Sequence, residues 1–257
     1  RAAPTAAVGM SLRVLALHGF GQNAAVFAEK RIKELTRKLK STAVFHCLDA
    51  PHVLPYDPAL RGWWSYPEEL WDGKGETIQA LADRLLQQPD FQPLGLEESF
   101  ELVLGEWLKG GYDGVLGFSQ GAILAAALCA ELHRRGPDAG PRPRFAILVS
   151  GFGRPTPRGL EAYPPREPLP VPSLHVWGAA DDHIPGWASE ALAAHFHEPQ
   201  TYVHPGHHFV PQKAADSKVF QDFLVAFPPS AAPVPAEQPR AEGPRAAQPA
   251  RGDEPRP

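Results

Sequence analysis

Between Ser11 and Phe227, short and mostly apolar runs alternate with longer stretches in which apolar positions recur every three or four residues. The short runs are 12–17, 43–48, 114–117, 145–149, 174–177 and 201–203. They are apolar at consecutive positions, as expected of strands covered on both faces; a one-sided antiparallel strand would alternate polar and apolar. Helical spacing appears over 27–39, 77–86, 100–109, 122–134, 188–196 and 211–227, and Pro211 suits a first helical turn, where its missing N–H is not needed. Strands alternating with helices predict an α/β fold, a mostly parallel sheet with helices on both faces. The stretch 52–96 is irregular and rich in Pro, Gly and Trp; it is too long for a simple connection and predicts a functional loop region or a partial cap.

Composition narrows the classes. The chain has 257 residues, 43% hydrophobic and 21% charged, enough for one large domain or two small ones. Its 25 Lys+Arg against 29 Asp+Glu leave a net charge of -4 without a basic run, so a nucleic-acid partner is not expected. The longest purely apolar run, 122–130, is about half of what a membrane span requires, and a soluble protein is expected. Two cysteines, Cys47 and Cys129, both in apolar surroundings, suit buried thiols in a reducing compartment rather than a disulfide framework. No internal repeat is visible.

The ends differ in kind from the middle. Residues 228–257 carry nine prolines and seven alanines, no aromatic residue, and four Arg against four acidic residues. Such a segment lacks the apolar surface to offset its ordering entropy and is expected to be a disordered tail. Residues 1–10 read as an N-terminal extension without the apolar core of a secretory signal, which leaves 11–227 as the folded domain.

The chemistry begins at Gly117-Phe-Ser-Gln-Gly121. A strand-like run precedes it and a strong helix former follows it, the setting that presents a nucleophilic serine on a sharp turn. Side chains at positions 117 and 121 would clash in such a turn. A serine hydroxyl is a weak nucleophile, so a base and an orienting acid are expected downstream, acid first. A carboxylate appears in Gly178-Ala-Ala-Asp-Asp-His-Ile-Pro185, directly after the run 174–177, where open α/β sheets keep their sites. After 201–203 comes a histidine-rich loop with His204, His207 and His208, any of which could supply the base.

An oxyanion needs N–H donors, and Leu17-His-Gly-Phe-Gly-Gln22 supplies a flexible loop after the first strand, making the amides of Phe20 and Gln120 the expected pair. A dinucleotide reading of that loop is disfavoured because Ala24 stands where a third glycine belongs. Zinc on the three histidines is disfavoured because no Glu or Cys cluster accompanies them. Trp63, Trp64, Tyr66 and Trp71 concentrate aromatic area in an irregular segment, and Trp63 and Trp64 are expected to wall an apolar acyl site.

Together these segments resemble the α/β-hydrolase esterases known as the family of serine hydrolases. The resemblance rests on Leu15-Ala-Leu-His-Gly-Phe-Gly-Gln-Asn, Arg61-Gly-Trp-Trp, Gly117-Phe-Ser-Gln-Gly-Ala, 178–185 and 206–211, in that order, and it covers about 10–227. It implies a carboxylic-ester hydrolase with Ser119 as nucleophile, Asp181 as acid and His208 as base. It also implies a small-molecule ester substrate, no cofactor, and a cytoplasmic, possibly also nuclear, setting, while the apolar acyl group of that substrate rests on the tryptophans. Two places depart from the family pattern. His207 stands where the second of two glycines is usual, and Asp182 and His183 crowd Asp181 where the loop usually continues with an aliphatic residue. A thioesterase or acyltransferase would use the same residues, and a non-catalytic binding protein on this scaffold is the remaining class.

Overall fold

The computed structural model describes residues 11–66, 80, 84, 93–153 and 160–229. Six parallel strands, β1 (Leu12–Leu17), β2 (Ala43–Leu48), β5 (Gly114–Phe118), β6 (Phe145–Val149), β7 (Ser173–Gly178) and β8 (Gln200–His204), form one sheet in the order β2-β1-β5-β6-β7-β8. All six coincide with the apolar runs to within a residue at each end. Alternate residues divide between two cores. Leu15 and Leu17 face one side with the helices α3 (Leu96–Gly110) and α4 (Gln120–Arg135), while Val14 and Ala16 face the other with α2 (Lys33–Leu39) and α6 (Ala214–Leu224). Helix α4 is buried without a break from Gln120 to Leu132, which explains its unpatterned run of alanine and leucine. A short helix, α5 (Gly186–Ala193), precedes β8.

The winding direction matters most for function. The chain runs from β1 outward to β2, then returns to the other side of β1 and continues through β5 to β8. The loops leaving β1 and β5 therefore diverge at the sheet's carboxyl edge, with Leu17 level with Gly117. Open α/β sheets bind ligands in such crevices.

Several expectations need correction. The irregular stretch 52–96 contains an antiparallel hairpin, β3 (His52–Leu54) and β4 (Asp57–Gly62). Asp57-Pro-Ala-Leu-Arg-Gly carries no strand-like alternation, and Pro58 is tolerated because the two-stranded ribbon leaves edges open. The helix expected over 27–39 is instead a π-helical turn (Phe27–Arg31) followed by α2, with one short turn, α1 (Ala24–Val26), ahead of them. The Ile32 N–H reaches back five residues to the Phe27 carbonyl at 3.0 Å, inserting one extra residue into the turn. Pro211 lies before α6, not in its first turn. The helix starts at Ala214, and the Asp216 carboxylate accepts from the Lys213 amide at 2.9 Å to cap it.

Of the helix expected over 77–86, only Ala80 and Arg84 are described. Trp71, the extension 1–10 and all but the first two residues of the tail lie outside the described residues. Among the described residues no helix is long and apolar enough to cross a membrane. Both cysteines are free, and burial pushes their thiols up to about 12, so neither is ionised at neutral pH.

Candidate active site

Ser119 sits between β5 and α4 at φ 55° and ψ -118°, a left-handed conformation that ordinary side chains avoid. Its amide donates to the Val149 carbonyl at 2.9 Å, and its carbonyl accepts from Ala122 N–H at 2.9 Å, so the turn is held from both sides. The flanking glycines are steric necessities. A Cβ at position 117 would stand 2.3 Å from the Gly121 carbonyl oxygen, and one at 121 would stand 2.3 Å from that of Leu17. The elbow thus packs directly onto the end of β1.

The loop leaving β1 is pinned just as firmly. The His18 ring is buried, its Nε2 accepts the Ala50 amide at 3.1 Å, and its Nδ1–H donates to the Gly19 carbonyl at 2.8 Å. Burial lowers the His18 pKa, so the ring stays neutral in this one tautomer. Gly21 takes φ 68°, and the loop pairs with β4 through Gly21 N–H to Arg61 O (3.0 Å) and Arg61 N–H to Gln22 O (2.8 Å). Phe20 lines the cavity beside Ser119. Gln120 opens α4, where an amide has no intrahelical acceptor.

At the far side, the loops after β7 and β8 meet. Gly178 lets them approach, since a Cβ there would stand 2.3 Å from the Gly206 carbonyl oxygen; the Ala179 amide donates to His204 O (2.7 Å) and that of Ala180 to Gly206 O (3.0 Å). The Asp181 carboxyl group is wholly out of solvent. One oxygen accepts the amides of His183 (3.0 Å) and Ile184 (2.8 Å), and the other accepts from His208 Nδ1 at 2.8 Å. Burial alone would raise the Asp181 pKa, but the bond and charge of His208 and the two amides outweigh it and hold the carboxyl below its ordinary value. Because a carboxylate only accepts, His208 Nδ1 carries the proton and Nε2 is left as an acceptor. The His208 ring packs 4.8 Å from Phe118 and lies parallel to His183 at 5.0 Å. His208 and Ser119 line one cavity of about 240 Å³ with Phe20, Phe118, Phe209 and Val210.

The structure therefore gathers Ser119, His208 and Phe20 at one cavity, bonds Asp181 to His208, and starts α4 at Gln120. Trp63 and Trp64 require a correction. Both are 0% exposed, and neither is among the described residues lining that cavity. Their segment is tied to the elbow from inside the core: Trp63 Nε1–H donates to His18 O (2.7 Å), the Trp63 amide to Gln120 Oε1 (3.1 Å), and Gln120 Nε2 to Trp64 O (3.2 Å). Large aromatic side chains are favoured in such pinned interiors as strongly as in pockets, and the sequence does not separate the two uses. The three loop histidines also separate, because His204 is buried and accepts the Gly206 amide, whereas His207 is exposed. The cavity positions of His183 and Arg31 left no signal in the sequence; the π turn ends at Arg31.

Known proteins resemble this chain over most of its length. The family described as "Serine hydrolase (FSH1)" matches residues 9–220. "Esterase OVCA2" of Mus musculus is 37% identical over 238 residues, covering 86% of this chain and 99% of that protein. Its Homo sapiens counterpart is 38% identical over 236 residues, covering 84% and 96%. Among solved structures, esterase PE8 superposes with a TM-score of 0.54 at 19% identity, covering 85% of this chain and 93% of that one. The Bacillus cereus carboxylesterase gives 0.51 at 17%, covering 84% and 89%. Those two likenesses speak to the α/β-hydrolase fold alone. Since the family match spans most of the chain and the mammalian esterases align nearly end to end, this hydrolase belongs to the FSH1 serine hydrolase family.

Proposed function

We propose that the protein hydrolyses carboxylic esters by acyl transfer through Ser119, with His208 as general base and Asp181 as its orienting acid. The observation that carries this reading is the 2.8 Å bond from His208 Nδ1 to a buried Asp181, which leaves Nε2 as an acceptor on the cavity that Ser119 also lines. In the first step His208 Nε2 takes the Ser119 proton as Oγ attacks the ester carbonyl. The amides of Phe20 and Gln120 hold the developing oxyanion. The imidazolium, stabilised by Asp181, then protonates the departing alcohol, leaving an acyl-serine. Water attacks that ester with His208 again taking a proton, and the carboxylic acid and free Ser119 are released. The apolar lining by Phe20, Phe118, Phe209 and Val210 favours an apolar acyl group of medium or long chain.

A fluorophosphonate probe tests the nucleophile. It labels the wild type, whereas Ser119→Ala loses both labelling and ester hydrolysis while its melting curve is retained; labelling that survived the substitution would defeat the assignment. A series of p-nitrophenyl esters tests the acyl group. Rates rise from acetate to octanoate on this reading, and a flat series would remove the apolar acyl site.

A further inference from the structure

Arg31 lines the same cavity of about 240 Å³ as Ser119 and His208, yet no step of acyl transfer uses it. It closes the π-helical turn that Phe27 opens. Phe27 is wholly buried and stacks on Phe118, the residue before Ser119, with ring centroids 6.3 Å apart. Residues four apart share one side of a helical turn, so the contact that anchors Phe27 to the elbow also carries Arg31 to the cavity. Single π turns of this kind are frequent at functional sites.

The Arg31 guanidinium is not neutralised by the protein. It is exposed, and it makes no ion pair or hydrogen bond among the described residues. The two acids of its own segment are committed elsewhere, Glu29 to Lys33 at 3.5 Å and Glu34 to Arg37 at 2.7 Å. None of the described residues lining the cavity is acidic. In the loop after β7, Asp181 is wholly out of solvent and bonded to His208, and Asp182 lies 2.9 Å from His183. A guanidinium is always charged, and its planar fork of donors matches a carboxylate or phosphate at two points. Beside aromatic walls such a pair is screened less by salt than on an open surface. A neutral ester gains nothing from that charge, whereas an ester with an anionic group pairs with it.

We propose that Arg31 makes the protein select esters that carry a second, negatively charged group, a carboxylate or a phosphate, apart from the scissile bond. The lining by Phe20, Phe118, Phe209 and Val210 holds the apolar part of such a molecule, and Arg31 holds its charged end. The selection among substrates rests on the esterase reading; the anion site does not.

The test pairs each charged ester with a neutral partner of the same acyl length. Mono-p-nitrophenyl hexanedioate against p-nitrophenyl hexanoate puts the charge on the acyl side, and 4-(hexanoyloxy)benzoate against phenyl hexanoate puts it on the alcohol side. The readout is the ratio of kcat/KM, charged over neutral, in the full chain, with melting curves as the check on folding. In at least one pair the wild type favours the charged ester about tenfold or more, and Arg31→Gln loses that preference while Arg31→Glu reverses it. The pair that responds tells whether the charge belongs to the acid or to the alcohol. Raising the salt concentration lowers the ratio in the wild type but not in Arg31→Gln, an effect that a merely structural arginine would not produce. Ratios near one in both wild-type pairs, or a preference that survives Arg31→Gln, overturn the proposal. Absence of turnover for all four esters overturns the esterase reading instead. Calorimetric titration of the same esters into Ser119→Ala, with and without Arg31→Gln, then decides the anion site: about tenfold weaker binding of a charged ester without the guanidinium keeps it, and equal binding removes it.

Discussion

Ser119 is held in a conformation that costs a non-glycine residue about 1–3 kcal/mol, and its neighbours exist to make that affordable. Gly121 is the sharpest case, because the atom that a Cβ would meet at 2.3 Å is a backbone carbonyl at the end of β1, which cannot rotate aside. Gly121→Ala is therefore expected to lower the melting temperature by many degrees or prevent folding, as read by circular dichroism; a melting point within two degrees of wild type would show that the elbow is looser than described. The two adjacent histidines differ as sharply. His208 is bonded to a buried carboxylate, whereas His207 is mostly exposed and faces Asp182 at 4.0 Å. His208→Ala should lose about three orders of magnitude or more in kcat/KM, and His207→Ala about tenfold or less. Severe loss in His207→Ala with near-normal activity in His208→Ala would reverse the assignment. The motif order and the family pattern already singled out Ser119, Asp181 and His208, but the choice between adjacent histidines acquired a physical basis only with the Asp181 bond.

Segments distant in sequence hold each other in place around the elbow. The Gln120 carboxamide bonds to the backbone of both Trp63 and Trp64, so the residue after the serine also anchors the segment that follows β4. Truncating a wholly buried indole removes a large side chain from that anchorage, and Trp64→Ala should cost about 3–5 kcal/mol in urea unfolding. Its preference among ester chain lengths should stay unchanged; a shift toward longer chains with little loss of stability would return Trp64 to the acyl site. The hairpin β3–β4 was not legible because its strands lack alternation and are specified by pairing with the loop after β1. The π turn was hidden for a related reason: the spacing over 27–39 suits one helix, and one inserted residue changes which side chain reaches the cavity without disturbing the apolar stripe enough to be seen.

Across the whole molecule, stability should depend on pH through histidines that are buried neutral. His175 lies in β7 at 1% exposure, and burial, reinforced by the nearby His195, lowers its pKa to about 3; burial lowers His18 in the same direction. In the unfolded chain these rings take up protons below about 6.5. The unfolded state then binds more protons than the folded one, so the stabilisation is fully present above pH 6.5 and is lost as pH falls from there toward about 3. Melting temperature is expected to decline from pH 7.5 to 5, and less steeply in His175→Gln; a pH-independent melting point would contradict it. The tail offers a second test. Deleting 229–257 should leave both melting temperature and ester turnover unchanged, because its composition offers nothing to pack, and a loss of either would show that it docks.

By itself the sequence determined the quantities that depend on local order. Short, mostly apolar runs placed all six sheet strands, the glycines around Ser119 marked the elbow, and the order of motifs predicted an acid and a base on later loops. Those features are local because a strand's burial on both faces and a turn's steric demands are written in neighbouring residues. Tertiary structure alone decided which histidine meets Asp181, and that Trp63 and Trp64 lie buried away from the described lining of the Ser119 cavity. Each of these depends on distances between loops separated by many residues, and such distances are set by strand order and close backbone packing, which one-dimensional spacing does not encode.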